Sequence, residues 1–188
     1  MLTHFQQSLQ KCLYELNLLI SKDTKEEVEI KPNSFYSDDA SGCVIVGPNN
    51  SGKTVYIRSL AAAQILGQAG LFVPAEEANI SIKKNMHILY ATVERNEQGG
   101  RFEQEAINQL EANDLVIMNE YFQSTREKEG INILYDLFTF LAKKNIYWIA
   151  VTNFQSIVSK QDIFNKETKK IFKVLMTDMG HEVREIEK

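Results

Sequence analysis

The 188-residue sequence predicts an α/β domain with a mainly parallel central sheet, helices on its flanks and a terminal β-hairpin. Three observations predict it. Residues 43–46, 115–118 and 146–151 are short apolar runs without polar alternation, as strands buried on both faces are. Between them lie segments with apolar residues at three- and four-residue steps, the period of a helix. Strands that alternate with helices need crossover connections, and these make the core parallel.

Phe5, Leu9, Cys12, Leu13, Leu16, Leu19 and Ile20 recur at helical steps, so residues 3–21 are expected to form an amphipathic helix. That helix makes up an N-terminal unit, residues 1–22, and needs an apolar partner in the domain's own sheet or in a second copy. Residues 21–27 read as a charged linker, 28–30 as a short strand before Pro32, and 36–42 as a turn region. The 43–46 strand feeds residues 47–54, and a helix follows from Thr54 to about Ala69, with Gly70 as its stop. Residues 71–73, 80–82 and 86–92 are short strand candidates, 93–100 a polar loop and 101–111 a helix. Ile131, Leu134, Leu137, Phe138 and Leu141 mark a helix over 127–144. Residues 170–188 alternate on both sides of D-M-G-H, which predicts a hairpin.

Composition is that of an ordinary soluble globular chain with one sizeable core, 44% hydrophobic and 24% charged. No apolar run approaches the roughly 18 residues of a membrane span, and the first ten residues lack the basic and apolar regions of a secretory signal. A membrane partner is therefore not expected. Cys12 and Cys43 are too few for a disulfide framework and read as thiols of a cytoplasmic protein. A net charge of −4 argues against a nucleic-acid-binding surface as a whole. Lys166, Lys169, Lys170 and Lys173 form the only candidate basic patch, and the preferred reading of them is a solvated strand edge blunted by lysines.

Residues 47–54 read G-P-N-N-S-G-K-T between a strand and a helix. Backbone N–H groups in such a loop cradle phosphates, and the helix N-terminus adds partial positive charge. The expected nucleotide contacts are Gly47, Pro48, Asn49, Asn50, Ser51, Gly52, Lys53, Thr54 and Val55. Lys53 would reach the β/γ-phosphates and Thr54 would offer its hydroxyl to Mg²⁺, so ATP and Mg²⁺ are the expected ligands. A second strand must deliver a carboxylate to the metal and the attacking water. L-V-I-M-N-E is the only apolar strand that ends in acid. It offers Glu120 as base or water-orienting group, with Asn119 beside it at the metal. The bland alternative is a strand ending in two polar caps. Trp148 reads as core, and His4, His87 and His181 lack metal-ligand spacing.

G-P-N-N-S-G-K-T-V-Y-I-R resembles the Walker A segment of the MutS mismatch-repair ATPases. G-L-F-V-P-A at 70–75 is similar to that family's G-x-[FY]-V-P-A segment. G-R-F-E-Q-E at 100–105 falls at its ABC-type signature, L-V-I-M-N-E-Y-F-Q-S-T at its Walker B strand, and V-T-N-F at 151–154 at its A-T-H-[YF] switch. The resemblance covers residue 28 onward and implies a P-loop NTPase of the ABC-ATPase type over residues 23–188. It also implies a head-to-tail homodimer in which Gly100, Arg101 and Phe102 complete the partner's site, and a role in DNA repair or DNA transactions. Arg101 would supply charge to a γ-phosphate or, in the bland reading, face solvent from a first helical turn; Phe102 reads as packing. I-K-P-N, with Ile30 and Asn33, resembles the family's adenine-site segment, and Phe172 is a candidate for the other face of the base. Strand packing explains Ile30 and Phe172 equally well.

Three departures separate this sequence from the family pattern. Asn119 stands for the metal-supporting aspartate, Asn153 for the switch histidine, and Gly100 for the signature hydroxyl. One lost charge-stabilising contact costs about 10²–10³ in rate, so slow ATP hydrolysis by Glu120 and Lys53 is the expected activity. The alternative is a catalytically quiet nucleotide-binding and dimerisation module. The roughly 40 residues before the loop are too few for a mismatch-reading domain, so DNA contact is expected only through additional domains or partner proteins. A small-molecule kinase would need an arginine-rich lid, and the motif matches argue against it.

Overall fold

The structure is a computed structural model that describes residues 9–22, 30–37, 40–90, 107–120, 126–160 and 171–186. Its elements are β1 Leu9–Leu13, α1 Leu16–Lys22, β2 Asn33–Tyr36, β3 Gly42–Val46, α2 Lys53–Gln68, β4 Glu77–Asn79, β5 Met86–Tyr90, β6 Leu115–Asn119, α3 Glu127–Lys143, β7 Tyr147–Thr152, β8 Phe172–Thr177 and β9 Val183–Glu185. One sheet has the order β5-β6-β7-β3-β8-β9, with β9 alone antiparallel. A smaller antiparallel sheet has the order β2-β1-β4. The mixed α/β class, the mostly parallel sheet and the terminal hairpin match the expectation from sequence.

The larger sheet separates two cores. Along β3, Val44 and Val46 enter the core shared with α3, while Cys43 and Ile45 enter the core shared with α2. This two-sided burial is why β3 is apolar at every position rather than alternating. In the α3 core Phe138 stacks on Trp148, with ring centroids 3.8 Å apart, and Phe172 packs edge-on to Phe138 at 5.7 Å. The Trp148 ring lies where a Cβ on Gly42 would be, so β3 can pass this indole only as glycine. α2 is stopped by Gly70, two residues past its end: the Gly70 N–H reaches back to the Gly67 carbonyl, and a φ of +70° at Gly70 lets the Leu71 N–H reach the Leu66 carbonyl.

Several expectations are corrected. Residues 9–13 are a strand rather than part of a 3–21 helix; residues 3–8 lie outside the described residues, and among the described ones of this stretch only Leu16–Lys22 is helical. The helical spacing is genuine, but the backbone of 9–11 finds ladder partners on both sides, in β2 and β4, and tertiary pairing overrides local period. Cys12, at φ +52°, breaks the run, and Glu15 starts α1 by accepting the Leu18 N–H. The pairing also ties residues 9–13 to strands beyond the expected boundary at 22. Residues 71–73 and 80–82 are not strands; the strand of this stretch is β4, and Phe72 lies fully exposed. Lys173 blunts no edge: β8 lies between β3 and β9, and the buried Lys173 ammonium pairs with Glu185 at 3.0 Å. Lys166, Lys169 and Lys170, the 28–29 part of the first strand candidate, the 93–100 loop and residues 101–106 of the expected helix lie outside the described residues. Among the described residues no helix is long and apolar enough to cross a membrane.

Candidate functional site

The candidate site lies at the C-terminal ends of β3, β6 and β7. β3 sits between the parallel strands β7 and β8, and ligands of open α/β sheets bind outside the C-terminal ends of the strands. Gly47 follows β3 directly and is buried under Thr177 of β8. A Cβ there would land on Thr177 Oγ1 and come within 2.7 Å of the Thr177 carbonyl and 2.8 Å of Ser51 Oγ. Ser51 Oγ and Thr177 Oγ1 are 2.5 Å apart, and Thr177 Oγ1 also donates to the Val46 carbonyl at 3.3 Å. β8 thus pins the 47–54 loop from one side.

The loop's turn needs left-handed backbone at Asn50 (φ +61°) and at Gly52 (φ +82°), which precedes α2. The first N–H groups of α2 have no intrahelical acceptor. Lys53, Thr54 and Val55, which carry them, line a cavity of about 660 Å³ with Asn49, Asn50, Gly52, Glu120, Asn153 and His181. Lys53 is 4% exposed and donates to the Gly47 and Pro48 carbonyls at 3.0 and 2.7 Å. Burial lowers its pKa, with the Glu120 carboxylate acting in the opposite direction. A buried ammonium whose acceptors among the described residues are two carbonyls, beside helix N–H groups without intrahelical acceptors, is built to meet an anion.

Across the cavity the parallel register places Asn119 of β6 beside Val151 of β7. Glu120 follows at φ +55°, fixed by its N–H to the Val151 carbonyl at 3.0 Å. A non-glycine residue in this region is strained, and such strain collects where function requires a side chain to be aimed. Asn153, just past β7, donates from Nδ2 to Asn49 Oδ1 at 2.9 Å and so links the strand end to the loop. The buried oxygens Asn119 Oδ1 and Asn153 Oδ1 have no hydrogen-bond partner among the described residues. Two idle acceptors here suit metal-bound or reacting water.

A second cavity of about 390 Å³ adjoins the first and shares Gly52, Val55 and His181 with it. Its wall includes Ile30, Lys31, Asn33, Tyr56 and Gly180. Asn33 accepts the Val183 N–H at 2.8 Å and donates to the His181 carbonyl at 3.0 Å, which fixes the β8–β9 turn against β2.

The structure thus brings together Asn49, Asn50, Gly52, Lys53, Thr54, Val55, Glu120 and Asn153 around one cavity, puts Asn119 beside Glu120, and sets Ser51 and Ile30 at the neighbouring one, while Gly47 and Pro48 line neither. Phe172 is corrected: it is 1% exposed and packed on Trp148 and Phe138, away from both cavities. Its strand faces it into the α3 core, so it covers no ligand. Gly100, Arg101 and Phe102 lie outside the described residues. Sequence reading passed over Thr177 and His181. The sole local signal was the D-M-G-H turn, and nothing in it tells that β8 adjoins β3.

The family profile described as MutS domain V matches residues 43–184. The chain is 30% identical over 135 residues to MutS protein homolog 4 of Homo sapiens, covering 68% of this chain and 14% of that protein. It is 34% identical over 116 residues to the DNA mismatch repair protein MutS of Prochlorococcus marinus strain MIT 9301, covering 58% and 13%. Against the protein of that name from Petrotoga mobilis it is 29% identical over 161 residues, covering 81% and 20%. The chain therefore matches a fifth or less of the length of these curated relatives. With the profile spanning most of the sequence and the loop, strand ends and hairpin falling inside it, the chain belongs to the MutS family.

Proposed function

We propose that this chain is a P-loop domain of the ABC-ATPase type, equivalent to the C-terminal ATPase domain of MutS proteins, that binds ATP with Mg²⁺ and hydrolyses it slowly. The observation that carries the reading is the 47–54 loop, where two left-handed residues, a crowded Gly47 and a buried Lys53 lie beside helix N–H groups that have no intrahelical acceptor. The triphosphate tail would lie against residues 47–54, with the base and ribose toward Ile30, Val55 and His181 in the adjoining cavity. Thr54, Asn119 and Glu120 would hold Mg²⁺, directly or through water, and the ion would neutralise charge on the phosphate oxygens. Glu120 would orient or deprotonate water, and Lys53 would turn from its carbonyls to the phosphates.

The family context supports work in DNA mismatch repair or related DNA transactions. DNA would be engaged through additional domains or partner proteins, and the nucleotide would favour a homodimer with Gly100, Arg101 and Phe102 completing the partner's site. A cytoplasmic setting, suggested by two free cysteines, belongs to the same proposal. A second reading, a quiet nucleotide-dependent dimerisation module, is favoured by the uncharged Asn119 and by the Asn153–Asn49 bond that ties the switch position to the loop.

Calorimetry with ATP and ADP tests the site: saturable binding lost in Lys53→Ala is expected, and no heat for either nucleotide refutes the reading. Mg²⁺-dependent hydrolysis by wild type that Glu120→Gln abolishes supports the enzyme. Activity only in Asn119→Asp supports the module. Light scattering with and without ATP tests assembly, and a monomer in both states would remove the dimer.

A further inference from the structure

The cavity of about 390 Å³ beside the phosphate loop runs past the residues it shares with that loop. Gly52 and Val55 lie at the shared end. Ser59, on the same wall but not shared, is two turns beyond Gly52 along α2, about 10 Å at the helical rise. That is close to the span of a nucleoside from its 5′ oxygen to the far edge of its base. The side chains of this inner stretch therefore govern which base fits.

Their hydroxyl protons are already committed. Tyr56 and Ser59 are each 5% exposed. Tyr56 Oη donates to the Ser34 carbonyl at 2.9 Å, and Ser59 Oγ donates to the Val55 carbonyl at 3.0 Å. Thr177 Oγ1 gives its proton to the Val46 carbonyl, so Ser51 Oγ gives its own to Thr177. Toward a ligand, the Tyr56 and Ser59 hydroxyls can only accept. The side-chain donors left on this wall are Asn33, tied to the β8–β9 turn, and the exposed Lys31 and His181.

Glu15 completes the accepting surface. It is 9% exposed and lines the same cavity. Its Oε2 accepts the Leu18 N–H at 2.6 Å and its Oε1 accepts from Asn17 Nδ2 at 3.0 Å, which anchors the carboxylate at the start of α1. A carboxylate offers about four acceptor positions, so about two remain. Among the described residues no cation pairs with it. A buried charge in this position favours a ligand that brings an N–H and disfavours one that brings a lone pair.

We infer that Glu15 selects adenine by accepting a hydrogen bond from its exocyclic amine, an assignment that rests on the nucleotide reading of the 47–54 loop. Guanine and hypoxanthine carry a carbonyl where adenine carries the amine, and that oxygen would meet the carboxylate. Attraction of one base and repulsion of the others act together. Glu15 lies outside the residues 43–184 that match the family profile, so this selectivity belongs to the chain's own N-terminal segment.

Calorimetry of the full chain with Mg²⁺ tests this, using ATP, purine riboside triphosphate, ITP, GTP and inorganic tripolyphosphate. Purine riboside has neither amine nor carbonyl at the position in question. In wild type it should bind at least about tenfold more weakly than ATP, the equivalent of one hydrogen bond to a charged group, with ITP and GTP weaker still. Glu15→Gln puts an N–H₂ donor in the same shape, so ITP should gain and the ATP-to-ITP affinity ratio should fall at least about tenfold. Tripolyphosphate should bind both proteins alike. The wild-type series decides the matter by itself if Glu15→Gln does not fold. ITP or GTP equal to ATP in wild type, or an unchanged ratio in folded Glu15→Gln, would overturn the inference and leave the nucleotide reading intact. Failure of tripolyphosphate and every nucleotide to bind would overturn both.

Discussion

Replacing Gly47 by alanine tests how tightly β8 pins the candidate loop. The new methyl would land on Thr177 Oγ1 and approach the Thr177 carbonyl to 2.7 Å and Ser51 Oγ to 2.8 Å. Only the hydroxyl belongs to a side chain that can turn away, and turning it breaks its bonds to Ser51 and Val46. Overpacking of a close-packed site costs about 1–3 kcal/mol, and each lost hydrogen bond adds about 1 kcal/mol. Gly47→Ala is therefore expected to destabilise the fold by about 2–4 kcal/mol. Thr177→Ala alone should cost about 1–2 kcal/mol, because it loses the same hydrogen bonds without a clash. In the double variant those bonds cannot be lost twice and the Oγ1 clash is gone. The double should fall short of the sum by about 1 kcal/mol or more. Urea denaturation of the four proteins measures this from shifts in midpoint at constant slope. A neutral Gly47→Ala, or a strictly additive pair, would refute the packing account of this glycine.

Asp114 is fully buried; burial pushes its carboxyl up, but hydrogen bonds from the Glu111 N–H, Asn85 and His87 outweigh this and hold it below the ordinary aspartate value. A depressed folded-state pKa means stabilisation that is complete above about pH 4 and lost as pH falls through the folded value. Asp114→Ala should cost about 2–4 kcal/mol at pH 7 and flatten part of the acid limb in urea titrations against pH. Lys83 has the opposite sign. Its ammonium weakens the fold below about pH 8, and wild-type stability should climb between that value and the unfolded pKa of about 10.4. The groups facing it are Tyr147, Cys43, whose thiol burial pushes up to about 12, and Lys173 with Glu185. Lys83→Met should gain about 1–3 kcal/mol at pH 7, a gain that fades by pH 10. Phe172→Leu should lower stability by about 1–2 kcal/mol through the Phe138–Trp148 cluster and leave ATP affinity unchanged; weakened nucleotide binding would return Phe172 to the ligand.

The buried strands 43–46, 115–118 and 146–151 were legible in the sequence because burial on both faces leaves no room for polar alternation. The α3 helix was legible because its apolar stripe has one partner, the sheet, and α2 because the 47–54 loop opens it and Gly70 stops it. Residues 47–54, Glu120 and Asn153 were legible as a group because each follows an apolar strand in a parallel fold, and such strands end at the same edge. Local pattern could not decide residues 9–13, whose helical spacing lost to β-pairing on both sides, or Phe172, which alternation allows on either face. Strand order was equally hidden. Only the packed sheet sets β8 beside β3, and that neighbour relation alone brings Thr177 onto Gly47 and His181 against Gly52. Burial and period are properties of a segment, whereas adjacency is a property of the whole chain.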